Sequence, residues 1–278
     1  MKKSLFITIL FIFSVTAFGQ QKEKIKGSKI VTVEQKEIAE FENLDVKDNL
    51  EIFLIKGDKC GVEIEADDNL HETIDVKLKD KTLYLSATKQ VSGAKKYSVR
   101  VTYTDDFKMA IAKDDANITA LAEIALTNFT FKIHDNAKLF AYVNTKSFTL
   151  MTDDKSKTEL NLKSDETIIE MSKNSQLKAL IASTQMKFDM YQKATATIEG
   201  DVIDLKLRLD NNTDFIGSKL TSKNTELVTE GYSQCSVTVN GKVTIDAKGK
   251  SEIQLYGEQK IEMKNFLDSA TLVKKPLK

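Results

Sequence analysis

The chain has no tryptophan, two cysteines, two histidines, eleven glycines and a single proline in 278 residues. Each shortage excludes something. Two cysteines cannot build a disulfide-dense scaffold, and so little glycine and proline rules out collagen-like and low-complexity sequence. Neither sign of charge is in excess, with 41 Lys+Arg against 41 Asp+Glu, so the chain lacks the basic footprint of a nucleic-acid or anionic-membrane binder. Yet 41% of the residues are hydrophobic, too many for a disordered polyampholyte. This is a folded protein. A long chain with many turns and one proline, Pro276, implies that its bends are made by one repeated device.

The first residues read as a targeting segment. Lys2 and Lys3 form a basic n-region, Leu5 to Phe13 is apolar apart from Thr8, and Ala17-Phe18-Gly19 places small residues at the −3 and −1 positions. Residues 1–19 are therefore expected to be a signal peptide cleaved between Gly19 and Gln20, exporting the mature chain to the periplasm, cell surface or medium. Without Lys2 and Lys3 the mature chain has 39 basic and 41 acidic residues. No later stretch has the length and apolarity of a transmembrane helix.

A short polar cluster ending in a small residue then recurs. The copies are Asp115-Ala116, Asn136-Ala137, Lys155-Ser156, Asn174-Ser175, Lys193-Ala194, Asn212-Thr213, Tyr232-Ser233, Lys250-Ser251 and Asp268-Ser269. Every anchor is Ala, Ser or Thr, and the spacing stays between 18 and 21 residues. Six residues before each anchor stand Ala110, Phe131, Leu150, Ile169, Phe188, Leu207, Leu227, Ile245 and Met263, apolar in every copy. Positions four before and four after the anchor are also apolar or small in nearly all copies, while Glu170, Asp189, Arg208 and Asp246 fall between them. Alternate residues therefore face inward, the period of two expected of strands.

A repeat of about 19 residues built from short strands and polar corners describes one coil of a parallel β-solenoid. Equivalent side chains would stack about 4.8 Å apart, and nine coils would form a rod on the order of 40 Å long. Stacking also accounts for the missing prolines, because nearly every backbone N–H is needed by the neighbouring coil. Pro276, after Lys274 and Lys275, would blunt an edge. The reading divides the chain into residues 20–104, an N-terminal β portion capping the solenoid, residues 105–273, the repeats, and a tail of residues 274–278. Within the first portion Ile30–Val33, Leu50–Leu54, Val62–Glu65, Ile74–Leu78, Leu83–Leu85 and Tyr97–Val101 alternate as strands between polar turns. The fold class is all-β.

The runs Phe41-Glu42-Asn43-Leu44-Asp45-Val46, Leu50 to Asp58, Val62 to Leu70, Val76-Lys77 and Leu83-Tyr84-Leu85 resemble the opening of the head GIN domain family of autotransporter-type adhesins. That family is abundant in secreted and envelope proteins of Bacteroidetes-type bacteria. The resemblance covers roughly residues 28 to 270. It implies a β-solenoid of the cell envelope with an adhesin label. The residues themselves point to no cofactor.

Chemistry-bearing constellations are few. Glu170, Asp189 and Arg208 form an outward ladder, with Ser172, Tyr191 and Asp210 two residues along in the same coils. Carboxylates on adjacent rungs about 5 Å apart could act as a glycosidase pair, or the ladder could be a solvated face whose cation offsets like-charge repulsion. His71 and His134 are far apart in sequence and Cys235 falls on an inward column, so a metal site is not expected and a buried free thiol is. A disulfide between Cys60 and Cys235 is permitted by export but indicated by no spacing. No phosphate-binding glycine loop and no Ser/His/Asp set can be assembled. The favoured expectation is an exported, noncatalytic binding module that presents its outer faces to a glycan, an envelope protein or another copy of itself. A polysaccharide lyase or glycoside hydrolase, and a purely structural envelope component, are the alternatives.

Overall fold

A computed structural model describes residues 22–276, so the expected cleavage point at Gly19 and Gln20 lies outside the described residues. Strands make up most of the chain, and the one helical element among the described residues is a 3-10 turn at His71–Thr73. No helix among the described residues is long and apolar enough to cross a membrane.

The regular part consists of β12 (Ile124–Ile133), β13 (Lys138–Thr152), β14 (Lys157–Met171), β15 (Gln176–Met190), β16 (Thr195–Leu209), β17 (Asp214–Thr229) and β18 (Gln234–Ala247). Each is parallel to the next, and β13 to β16 pair at a constant offset of 19 residues, as in Leu150↔Ile169↔Phe188↔Leu207. This is a β-solenoid of about nine turns. All nine residues expected six before the anchors share one register column, from Ala110 to Met263. From Ala110 to Ile245 that column is buried.

The repeated bending device is a residue in the left-handed region two positions before each anchor. Asp114, Asp135, Asp154, Lys173, Gln192, Asn211, Gly231, Gly249 and Asp268 have φ between 55° and 76°. Asp, Asn and Gly tolerate this conformation best, and they hold seven of these nine corners. The corner backbone is stitched axially, with Asn136 N–H donating to the Asp114 carbonyl, Lys155 to Asp135, Asn174 to Asp154 and Asn212 to Gln192. Where an N–H is committed to the next coil at every turn, proline has no place. The anchors Ala116, Ala137, Ser156, Ser175, Ala194, Ser233 and Ser251 are fully buried, which explains their small size.

The last copy departs from the expected register. Ile245 pairs with Met263 but Asp246 with Asn265, so Lys264 is an extra residue bulged out of the ladder. The left-handed residue is Asp268 and Ser269 N–H donates to Gly249, which makes Ala270, and not Ser269, the ninth anchor. The inward residue four before it is then Phe266, paired with Ala247.

The earlier residues are not stacked in chain order. β3 (Asn43–Val46) lies between β7 (Thr82–Ala87) and β10 (Met109–Ala112), parallel to both, and β4 (Glu51–Lys56) lies likewise between β9 (Tyr97–Tyr103) and β11 (Asn117–Ala120). Asp48, at φ 67°, occupies the same corner as Asp114 and accepts the Asp115 N–H through its carbonyl. Parallel coils thus continue into the segment before residue 105. The covering is done by antiparallel strands: β6 (Ile74–Lys79) on β7, β5 (Gly61–Asp67) on β9, and β2 (Val31–Glu37) on β5. A short parallel pair, β1 (Lys24–Lys26) with β8 (Gln90–Ser92), stands beside them. At the other end come β19 (Glu252–Tyr256), β20 (Lys260–Phe266) and β21 (Thr271–Lys274).

Where the chain crosses from the out-of-order coils into the regular ones, the core is aromatic. Phe107 packs edge-on to Phe41 at 5.8 Å, tilted against Tyr103 at 4.9 Å and against Phe129 at 5.1 Å, and the cluster continues through Phe131 to Phe148.

Candidate functional site

Every coil has a second corner, built differently from the first. In β14 the alternation runs buried at Ser164, exposed at both Asp165 and Glu166, and buried again at Thr167. The pairing register passes over Lys146, Asp165 and Thr184 at this point. Two consecutive outward residues turn the strand, and buried hydroxyls take up the backbone and side-chain groups left inside. Thr167 and Ser183 hydroxyls lie 3.0 Å apart, Ser183 donates to the Gln185 carbonyl at 3.0 Å, and Ser222 meets Thr225 at 2.6 Å.

These small residues form the floor of a groove. Thr145, Ser164, Ser183, Val202 and Ser222 occupy one register column, and the outward residues on either side of it stand as walls around a volume of about 1070 Å³. One wall runs Asn144, Lys163, Ala182, Asp201 and Thr221, and the other Lys146, Asp165, Thr184, Ile203 and Lys223. The groove crosses seven strands, β12 to β18, which at one strand spacing per coil is on the order of 30 Å along the axis. Lys146, Lys163, Asp165, Asp201 and Lys223 form no ion pair among the described residues. Elsewhere on the coils some lysines do, such as Lys219 with Glu199 at 2.9 Å and Lys173 with Asp154 at 2.7 Å.

The ladder expected from the sequence does form, on the other arm of the coil. Glu170 pairs with Asp189 and Asp189 with Arg208. Two of its three charges are nevertheless used within the chain. Asp189 is held by Lys187 at 2.9 Å on its own strand, and Arg208 turns to Glu230 at 3.7 Å and Asp210 at 4.0 Å. Burial pushes the Tyr191 phenol above its ordinary pKa, helped by Asp189, so this hydroxyl is a hydrogen-bonding group at neutral pH.

The remaining candidates are occupied or inert. His71 bonds Thr32 at 2.8 Å and His134 bonds Asp153 at 3.1 Å. Cys60 and Cys235 are both free thiols, and burial, then the Asp214 charge, pushes Cys235 well above the ordinary thiol range, as suits a packed side chain. The groove escaped the sequence reading because its floor residues, apart from Val202, are not apolar. The spacing Ser164-x-x-Thr167, repeated as Ser222-x-x-Thr225, is the signal that could have located that corner.

With a solenoid, its two corners and its outer ladders in place, the comparisons with known proteins fall into line. The family described as "Putative auto-transporter adhesin, head GIN domain" matches residues 40–258. The chain belongs to the head GIN domain family. Its resemblance to that family, first visible between Phe41 and Leu85, is thereby borne out. A structure described as "a putative adhesin" from Parabacteroides merdae superposes on this head GIN chain with a TM-score of 0.69 at 13% identity, covering 91% of this chain and 99% of that one. A "putative lipid binding protein" from Parabacteroides distasonis gives 0.64 at 10% identity, covering 91% and 100%. A further "putative adhesin" from Parabacteroides distasonis gives 0.56 at 16%, covering 91% and 98%. At these identities the likeness is one of fold. No curated protein matches the chain.

Proposed function

We propose that this head GIN protein is an exported, noncatalytic adhesin-like module of the cell envelope, and that the groove over Thr145, Ser164, Ser183 and Ser222 holds an extended glycan. The observation that carries the reading is the groove itself. It follows the solenoid axis for seven strands, and its walls present five charged side chains without partners together with Asn144, Thr184 and Thr221. A chain of hydroxyl-rich units needs hydrogen-bonding groups of both kinds at regular intervals, and Lys, Asp, Asn and Thr supply them. The family membership and the adhesin descriptions of the structural relatives support a surface-binding role. Export rests on residues 1–19. The Glu170, Asp189, Arg208 and Tyr191 ladder is assigned a secondary place at the periphery, because Asp189 and Arg208 already have partners.

The test is binding of the chain from Gln20 onward to surface polysaccharides and a glycan array, beside an Ala182→Trp variant. Ala182 is an outward residue of the wall, so the larger side chain fills the groove without entering the core. At least a roughly tenfold loss of affinity is expected, about 1.4 kcal/mol, while Asp189→Ala changes it less than threefold. Undiminished binding by Ala182→Trp, or failure of every glycan to bind, would overturn the proposal.

A further inference from the structure

The two ends of the coil stack are finished differently. At the first, β6 and β5 lie antiparallel on β7 and β9, and Leu83, Leu85, Val99 and Val101 behind them are buried. At the other, β20 pairs among the described residues with β18 alone, and all seven of its residues are exposed. Ile261 and Met263 continue the inward columns of Val243 and Ile245. The two residues in β18 are fully buried, whereas Ile261 and Met263 are 41% and 44% exposed. Phe266, Leu267 and Val273 add further exposed apolar surface. The core is therefore open in cross-section here, along a row of unpaired backbone donors and acceptors.

We propose that a second copy of this chain covers the opening, end to end, with the two β20 strands running antiparallel. A contact between like ends is isologous and closes at two copies, whereas a head-to-tail stack would go on without closing. Antiparallel pairing on a coil edge is also the device that the chain itself uses over β7 and β9. The charges agree with it. β20 carries Lys260, Glu262 and Lys264 around Met263, so an antiparallel copy with Met263 near the twofold axis brings Glu262 beside Lys264 of the partner subunit, twice. Lys264 is available for this, since it is the bulged residue and makes no ion pair among the described residues. Pro276, beyond β21, has no N–H to extend that edge.

Sedimentation velocity on the chain from Gln20 onward tests the proposal. A reversible dimer is expected at or below roughly 100 µM. Met263→Lys replaces an exposed side chain, so the fold should persist by circular dichroism, and dimerisation should weaken at least roughly tenfold. Glu262→Lys and Lys264→Glu should each weaken it, and the double reversal should restore it to within about threefold of the original. Lys242→Gln removes the partner that Glu262 has within the chain, at 2.6 Å, and should leave dimerisation unchanged. A monomer throughout the concentration range, a dimer indifferent to Met263→Lys, or single reversals without rescue in the double variant would each overturn the proposal.

Discussion

Between residues 113 and 251 one geometry recurs in chain order, whereas between residues 22 and 108 parallel coils are threaded out of order and covered by antiparallel strands, and the two regions are held together by different means. In the regular coils the axial bonds run mainly from backbone to backbone, with carboxylate additions at Asp135 and Asp268, so the left-handed corner accepts Asp, Lys, Gln, Asn or Gly. Side-chain identity matters there chiefly where space is short. In the earlier segment the coils are out of order and individual carboxylates stitch them. Asp67 is fully buried and accepts the backbone N–H groups of Lys29, Lys95 and Lys96. Burial works against its charge, but those amides outweigh it and hold its carboxyl below the ordinary value. Asp48 accepts the Ala87 N–H at 2.9 Å, while its own N–H donates to Asp114 at 3.1 Å. Glu42 clamps Lys108 from one neighbouring coil and Lys81 from the other, each at 2.6 Å. Repetition allows the backbone to carry the structure, and its loss makes single side chains necessary.

Three substitutions sharpen this contrast. The largest effect is expected at the seam, where Phe107→Ala removes a buried ring that touches three aromatic neighbours. It should cost about 3–5 kcal/mol in urea unfolding. Phe188→Ala, whose ring meets one other ring, Phe215 at 5.4 Å, should cost less, and an equal or greater cost would mean that the joint at Phe107 depends no more on a single side chain than a regular coil does. Next is the anchor column. Ser175→Leu should cost about 1–3 kcal/mol by overpacking, while Ser175→Ala should be close to neutral because the Ser175 hydroxyl has no partner. A destabilising Ala variant would show that anchors are chosen for hydrogen bonding and not for size. The smallest effect concerns charge. The Lys108 and Lys81 ammonium groups hold the Glu42 carboxyl down at about 2 from an ordinary 4.5. Its contribution is complete above the ordinary value and fades as pH falls toward 2. Glu42→Gln should therefore be less stable than the native chain at pH 7, and the two should converge near pH 2. A difference that persisted at pH 2 would assign the role of Glu42 to packing.

Much of the regular half was legible residue by residue. The column from Ala110 to Met263 was readable because parallel stacking presents the same environment to each copy, so the same residue type returns at the same interval. The Glu170, Asp189 and Arg208 ladder followed from the same logic, yet its partners did not, because Lys187 and Glu230 reach it along the strand and from the adjacent column. The ninth anchor was misplaced by one residue at the Lys264 bulge, since a bulge alters the count without altering the composition. The groove was invisible for a related reason. Its depth comes from hydroxyl-bearing residues at positions that a hydrophobic pattern counts as breaks.

The sequence by itself determined the period, the inward and outward faces, the small anchors and the avoidance of proline, all of which are local demands that each coil must meet alone. Only the tertiary structure decided that β3 and β4 lie between coils that follow them in the chain, that antiparallel strands cover one end, and that the other end is open. Strand edges bond through backbone groups that every residue except proline carries. Which edge meets which is therefore set by the geometry of the whole stack and leaves little trace in side-chain pattern.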